Sequence, residues 1–370
     1  MSRSVIQGLP RWTLAVPVLA FLDLVLSWHR DLGTVLLILV CIGLGAAVFA
    51  AVHHAEVVAH KVGEPFGTLI LALAVTVIEV ALIVTLMASG GDKAASLARD
   101  TVFAAVMITC NGILGLALVV GSVRHRVQGF RVQASYSALS VMTALVTLSL
   151  VLPTFTTSVP GPQFSPAQLA FAGVTSLVMY GVFVFIQTIR HRDYFLPAGP
   201  VRPDGDVDSD EEHHAAAPST ATALLSLGLL FVCLVSVVGL AKTVSPNLEH
   251  AVQSAGLPLS VVGVVIAMLV LLPETIAAVR AALRDRLQTS VNLALGSALA
   301  SIGLTIPAIA IASIWLSGPL VLGLGGKEMV LFALTVVTGM FTLSTGRATL
   351  LQGAVHLSVF SAFIFLAVSP

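Results

Sequence analysis

The sequence predicts an all-α, polytopic membrane protein with about 11 transmembrane helices: two inverted-topology five-helix repeats and an extra helix at the amino terminus. Three observations carry this prediction. The 370 residues are 57% hydrophobic and only 10% charged, where a soluble domain carries about 25% charged residues. The apolar residues fall into runs of the roughly 20 residues that a helix needs to cross a hydrocarbon core about 30 Å thick. Each half of the chain also holds one glutamate inside such a run. Strands are excluded, because transmembrane strands alternate apolar and polar residues over segments of about ten. Leu32 to Ala51 and Phe66 to Ser89 are instead apolar nearly throughout.

Taken in order, breaks at Pro, Gly and charge clusters give helices at 12–28, 32–58, 66–89, 101–121, 136–153, 166–189, 222–241, 258–279, 289–316, 328–344 and 348–368. The first run follows Arg3 and Arg11 but no small-residue cleavage site, so Trp12 to Ser27 reads as a retained helix. Alternate crossing places thirteen of the eighteen Lys and Arg on the amino-terminal side and five on the other. The positive-inside rule then puts the amino terminus in the cytoplasm and the carboxyl terminus outside the cell inner membrane. Residues 1–31 form the extra helix, 32–189 the first half, 190–221 a linker and 222–370 the second half.

The linker holds Asp204, Asp206, Asp208, Asp210, Glu211 and Glu212, then His213 and His214. Such a run cannot bury enough apolar area to fold alone and is expected to be a disordered cytoplasmic segment. Two readings stay open: a cation sensor or reservoir, because hard cations favour clustered carboxylates, and a solvated hinge. Net charge is zero with no basic block, which removes nucleic acid as a partner and leaves the lipid bilayer and inorganic cations. Cys41, Cys110 and Cys233 lie in apolar runs without Cys-x-x-Cys spacing, so they read as ordinary buried thiols.

The two buried acids are Glu79, in Leu-Ala-Val-Thr-Val-Ile-Glu-Val-Ala-Leu, and Glu274, in Met-Leu-Val-Leu-Leu-Pro-Glu-Thr-Ile-Ala-Ala. Their helices stand five apart in the count, so they insert in opposite directions. This is the arrangement in which transporters bring binding groups together at the midplane. An ionised carboxylate at the bilayer centre costs at least about 2.5 kcal/mol, so it persists where it faces a cavity or a partner. Two carboxylates can ligate a hard cation, and without it repulsion and low dielectric favour protons. Competition for one site then gives exchange. For either acid the bland alternative is a structural hydrogen bond between helices. Pro273 strengthens the second site, because it removes a backbone donor and breaks the helix beside the acid.

The run after each acid carries a polar, small-residue patch: Ile-Thr-Cys-Asn-Gly-Ile-Leu-Gly with Thr109 and Asn111, and Gly296-Ser297 with Ser301, Gly303, Thr305 and Pro307. Close helix packing accounts for the glycines. Asn111 and Ser297 read equally as oxygen ligands or packing residues, and Thr76, one turn before Glu79, offers another oxygen. His53, His54 and His60, with Glu56 and Glu64, cluster where the second helix nears the cytoplasm. They read equally as a pH sensor or a solvated helix end. Asp23 and His356 also lie within runs, as packing or cavity residues or members of a proton path.

Residues 53–82, His-His-Ala-Glu-Val-Val-Ala-His-Lys-Val-Gly-Glu-Pro-Phe-Gly-Thr-Leu-Ile-Leu-Ala-Leu-Ala-Val-Thr-Val-Ile-Glu-Val-Ala-Leu, resemble the first α-repeat of the Ca²⁺/cation antiporter superfamily, and 271–307 resemble the second. The wording is most similar to the bacterial ChaA-type cation/proton antiporters and covers essentially the whole chain. The resemblance implies that Glu79 and Glu274 bind the cation and exchange protons, and that the family's Ser-Asn and Gly-Ser patches fall on Cys110-Asn111 and Gly296-Ser297. Vacuolar-type Ca²⁺/proton exchangers end a Gly-Asn-x-x-Glu motif at each acid. Here the segments read Val75-Thr-Val-Ile-Glu79 and Val270-Leu-Leu-Pro-Glu274, and the loss of amide oxygens leaves Na⁺ and K⁺ open beside Ca²⁺.

The sequence thus reads as a secondary antiporter exporting Ca²⁺, Na⁺ or K⁺ for protons, with no resident cofactor and no enzyme activity. A passive cation channel would use the same acids. An intramembrane hydrolase is the other rival, but His54-Ala-Glu56-Val-Val-Ala-His60 lacks the His-Glu-x-x-His spacing. Neither a Gly-x-Ser-x-Gly elbow nor a phosphate-binding Gly-x-x-x-x-Gly-Lys loop is present.

Overall fold

The structure is a computed structural model and describes residues 9–28, 30, 32–63, 66–90, 95–195, 218–315 and 318–370. Most of the acidic linker, 196–217, and Glu64 lie outside the described residues. A helix covers each of the eleven apolar runs. The first three are α1 Arg11–Ser27, α2 Thr34–Val62 and α3 Phe66–Gly90. Next come α4 Leu97–His125, α5 Val132–Thr154 and α6 Pro166–Arg190, followed by α7 Thr220–Ser254. Helix α8 has two pieces, α8a Ser260–Val270 and α8b Leu272–Leu283, and α9 Leu287–Ala312, α10 Gly326–Ser344 and α11 Leu350–Val368 complete the chain.

The all-helical, multi-pass class holds. Among the described residues, 8 helices are long and apolar enough to cross a membrane, or 9 with the bent α8, where eleven were expected. Helix α1, at 17 residues, falls short of that length, whereas α3 runs over the 25 residues Phe66–Gly90.

Local chemistry fixes the ends. Gly63 stops α2 by adopting φ 77° and donating its amide to the Ala59 carbonyl, a backbone geometry that side chains disfavour. Ser165 with Gln168, and Thr349 with Gln352, form capping boxes that start α6 and α11. Pro273, in the first turn of α8b, cannot donate to the preceding turn, and α8a and α8b meet at a 51° bend. Helix α4 runs through a π-helical turn, Ile108–Ile113, which widens it at mid-length.

Packing is reciprocal between the halves. Helix α4 lies against α8 and α11, as α9 lies against α3 and α6, and α5 packs on α10. Helices α2 and α7 form the most extensive pair, with α1 laid across both. The third helix of each half is the most enclosed: the apolar window is 89% buried in α4 and 61% in α9, against 22% in α11. Loop bonds fall into two sets. At one end, Val321, Gly323 and Leu324 donate to the carbonyls of Ala95, Pro162 and Leu150. At the other, Gln128 donates to Ala282, Asn292 donates to Phe195, and Gln128–Gly129 pairs with Arg347–Ala348. Helices α4, α5, α9 and α10 therefore each run from one end of the bundle to the other.

The buried side chains form two cores. One joins α1, α2 and α7 to one face of α3 and α8a, through Ile78, Leu82, Val262, Ile266 and Val270. The other joins α4, α5 and α9–α11 to the remaining faces, through Ile83, Val264, Ala267 and Leu271. Helices α3 and α8a are thus the seam between two packed bodies.

The α6–α9 crossing makes a prediction about stability. A Cβ on Gly303 would stand 2.7 Å from Tyr180 Cβ, whereas Gly181 has open space around it. Overfilling a packed crossing costs about 1–3 kcal/mol. Gly303→Leu should therefore lower the thermal unfolding midpoint in detergent while Gly181→Leu leaves it unchanged. Equal midpoints would refute the tight crossing.

Candidate functional site

Of the two sequence-predicted acids, Glu79 lies on the seam helix α3 and Glu274 lies just past the end of α8a, in the first turn of α8b. Glu79 is carried by an uninterrupted apolar stretch of α3 that turns it inward, and only 4% of its surface is exposed. Its Oε1 accepts a hydrogen bond from Ser301 Oγ on α9 at 2.6 Å. A hydroxyl donor at that distance is the kind of partner a carboxyl group buried in a dry bundle requires. Thr76, one turn earlier on the same face, is also buried.

Glu274 follows Pro273 in the first turn of α8b. The break that Pro273 imposes gives this carboxyl a helix amino terminus, where unpaired backbone amides and the helix dipole favour negative charge. The carboxyl lies against its own backbone amide and within electrostatic reach of Glu79 and Glu56. Its Oε2 is buried with no hydrogen-bond partner among the described residues. One acid is therefore tethered by a hydroxyl, and the other keeps a free oxygen that can take a proton or a cation.

The remaining candidates are placed unevenly. Ser297 is half-buried on α9, one turn before Ser301 on the same face, and the neighbouring Gly296 has open space over it. The hydroxyl that touches Glu79 is nevertheless that of Ser301, which sequence analysis named in the same patch without giving it a role. The signal for it was the four-residue spacing from Ser297. Asn111, which read equally as an oxygen ligand or a packing residue, has its amide bonded toward α10 and α11. Its Nδ2 donates to Thr335 Oγ1 at 2.9 Å, and its Oδ1 lies 3.2 Å from His356 Nδ1. The π-helical turn that carries Asn111 explains this, because it rotates the residue toward α10 and α11.

The histidine cluster divides. His54 is fully buried, its Nε2 lies 2.8 Å from the Thr13 carbonyl of α1, and its Nδ1 is buried with no hydrogen-bond partner among the described residues. His53 is half-buried between the Trp12 and His54 rings. His60 and Glu56 are exposed. Among the described residues no group of three or more His, Cys, Asp or Glu side chains could hold a resident metal ion.

The family model of the sodium/calcium exchanger protein matches residues 32–189 and 225–369. The chain belongs to this family. The Sinorhizobium fredii protein y4hA is 47% identical over 98% of this chain and 97% of its own length. The sodium-potassium/proton antiporter ChaA of Escherichia coli is 35% identical over 95% of this chain and 94% of its own. The Ca(2+)/H(+) antiporter of Aphanothece halophytica is 24% identical over 85% and 86%. Among solved structures, native YfkE superposes with a TM-score of 0.71 at 15% identity, covering 97% of this chain and 99% of that one. The H+/Ca2+ exchanger CAX gives 0.66 at 15% identity, covering 96% and 92%. At these identities the structures establish the shared fold of this multi-pass membrane family.

The serines on α9 separate the two expectations for the site. Loss of a partner that orients an ion ligand costs about tenfold or more in affinity. Ser301→Ala should raise the cation concentration for half-maximal exchange by that factor, and Ser297→Ala by less, in vesicle flux assays. A larger effect at Ser297 would show that Glu79 is held differently during exchange.

Proposed function

We propose that this chain is a secondary active cation/proton antiporter of the cell membrane in which Glu79 and Glu274 carry cation and protons in turn. The observation that carries the reading is the pair itself. Two carboxyls, one on α3 and one in the first turn of α8b, lie within electrostatic reach, one tethered by Ser301 and the other with a buried oxygen that has no hydrogen-bond partner among the described residues. Family membership and the 35% identical antiporter of Escherichia coli point the same way. With the cation bound, the carboxylates neutralise it. When it leaves, the dry, like-charged pair takes up protons, and the inward proton gradient drives the next export step. Thr76 and Ser297 supply further oxygens.

The cargo is Na⁺ or K⁺, by likeness to the Escherichia coli protein, with Ca²⁺ in range by likeness to the Aphanothece halophytica protein. The amino terminus is cytoplasmic and the carboxyl terminus outside, and residues 190–221 join the halves 32–189 and 222–370 on the cytoplasmic side. A pH-sensing role within the histidine cluster falls to His54 and His53, which lock α2 to α1.

The test is cation-induced collapse of a respiration-generated pH gradient in everted vesicles, comparing wild type, Glu79→Gln and Glu274→Gln with Na⁺, K⁺ and Ca²⁺. Collapse by at least one cation in wild type, and at least a hundredfold less in either variant, is the expected result. Cation flux without proton movement would instead assign a channel. Full exchange in Glu274→Gln would remove the paired site.

A further inference from the structure

A second buried polar system lies on the other side of α4, away from the carboxyl pair, and the exchange scheme above does not use it. His356 of α11 is fully enclosed, and so are Asn111 of α4 and, nearly, Thr335 and Thr342 of α10. The imidazole Nε2 lies 3.0 Å from Thr342 Oγ1, and Nδ1 lies 3.2 Å from Asn111 Oδ1. Asn111 Nδ2 donates to Thr335 Oγ1 at 2.9 Å, and Thr335 Oγ1 donates to the Leu331 carbonyl at 2.8 Å.

Donor and acceptor capacities fix the direction of this chain. The imidazole also meets the Cys110 backbone; with the ring neutral and the Asn111 amide oxygen facing it, Nδ1 carries the hydrogen and Nε2 accepts from the Thr342 hydroxyl. Each group donates to the next, from Thr342 through His356, Asn111 and Thr335 to the α10 backbone. A hydrogen-bonded series with one direction throughout defines which end of the Asn111 amide faces which neighbour.

The surrounding backbone is shaped to admit the imidazole. A Cβ on Gly115 of α4 would stand 2.9 Å from His356 Cβ, and one on Gly112 would stand 3.4 Å from the Phe360 ring, so these two glycines let α11 lie close against α4 at this level. Asn111 and Gly112 both fall within the π-helical turn Ile108–Ile113. That turn also packs on α8b, whose first turn holds Glu274, and on α9, which holds Ser301. The widened turn thus has the carboxyl site on one side and the His356 chain on the other.

We propose that His356 is a positioning residue for cation exchange: by holding the Asn111 amide, with Thr342 behind it, it sets the π-helical turn of α4 against the helices that carry Glu274 and Ser301. The proposal rests on the carboxyl pair being the exchange site. Groups that orient a metal site from behind are worth about 10–100-fold in affinity when removed.

The test is cation-dependent proton flux in everted vesicles, normalised to folded protein, using Na⁺, K⁺ and Ca²⁺. His356→Leu should raise the half-saturating cation concentration about tenfold, with the change in half-saturation exceeding that in maximal rate. His356→Asn places an amide nitrogen where Nδ1 stands and should restore most of the affinity. His356→Gln places it where Nε2 stands and should not. Unchanged half-saturation in His356→Leu, or equal behaviour of the Asn and Gln variants, overturns the proposal. If His356→Leu fails to fold, Thr342→Val decides, since it removes only the hydroxyl behind the imidazole. It should shift half-saturation in the same direction, and no shift overturns the proposal. Glu274→Gln in the same vesicles tests the carboxyl site independently: retained exchange there removes the site, whereas lost exchange with normal His356 variants removes only the role of His356.

Discussion

An acid inside hydrocarbon must give its charge to something, and much of this bundle follows from how that demand is met at Glu79 and Glu274. An unpaired carboxylate in a dry interior costs several kcal/mol, so each acid needs a donor, a proton or a cation. Glu79 has the Ser301 hydroxyl, which requires α9 to pass close to α3. Glu274 has a helix amino terminus, which requires α8 to break where Pro273 breaks it. In each half, then, the third helix or its own interruption serves the acid of the second, and α4 and α9 become the most enclosed helices of the molecule.

The same two helices carry a second constraint. Ile78 and Leu82 of α3 belong to the core built on α1, α2 and α7, while Ile83 belongs to the core built on α4, α5 and α9–α11. Helix α8a is split the same way, with Val262, Ile266 and Val270 on one side and Val264, Ala267 and Leu271 on the other. A close-packed core moves as a body, whereas a boundary between two cores is where relative motion costs least. With Glu79 on that boundary and Glu274 just past its α8a edge, the proposed exchange would use a shift of α2 and α7 against the rest to change which end of the bundle the carboxyls face. This is what alternating access requires of a fixed midplane site.

Composition and run length were enough to read the helices, because a bilayer-sized apolar run has few other structures open to it. Pro273 and the two glutamates were legible for a similar reason: each is a local violation, of helix geometry or of hydrophobicity, that only a site or a break resolves. What stayed hidden depends on rotation about a helix axis. Ser297 and Ser301 share a face of α9, and the sequence does not say which of them stands level with Glu79. The π-helical turn of α4 carries no sequence mark that distinguishes it from an ordinary turn, yet it decides that Asn111 meets Thr335 and His356 rather than the acids. His54 reads as a polar residue at a helix end, and its burial against Thr13 follows only once α1 is laid across α2.

The position of Asn111 bears on how one site could serve cations of different charge. With its amide committed to α10 and α11, the proposed site would draw its oxygens from the two carboxyls and from hydroxyls such as that of Ser301. Such a set is rich in charge and poor in neutral amide oxygens, so the balance of charge weighs more than geometry in deciding what binds. A divalent ion is neutralised when both carboxyls are ionised, and its departure leaves room for two protons. A monovalent ion is neutralised when one carboxyl stays protonated, and it then exchanges for a single proton. Either exchange leaves the buried site electrically neutral in both of its loaded forms, which is the condition hydrocarbon imposes on any charge carried through it. In the proposed site, a pair of acids with few rigid neutral ligands around it would favour breadth among hard cations, with the proton count adjusting to the charge of the ion.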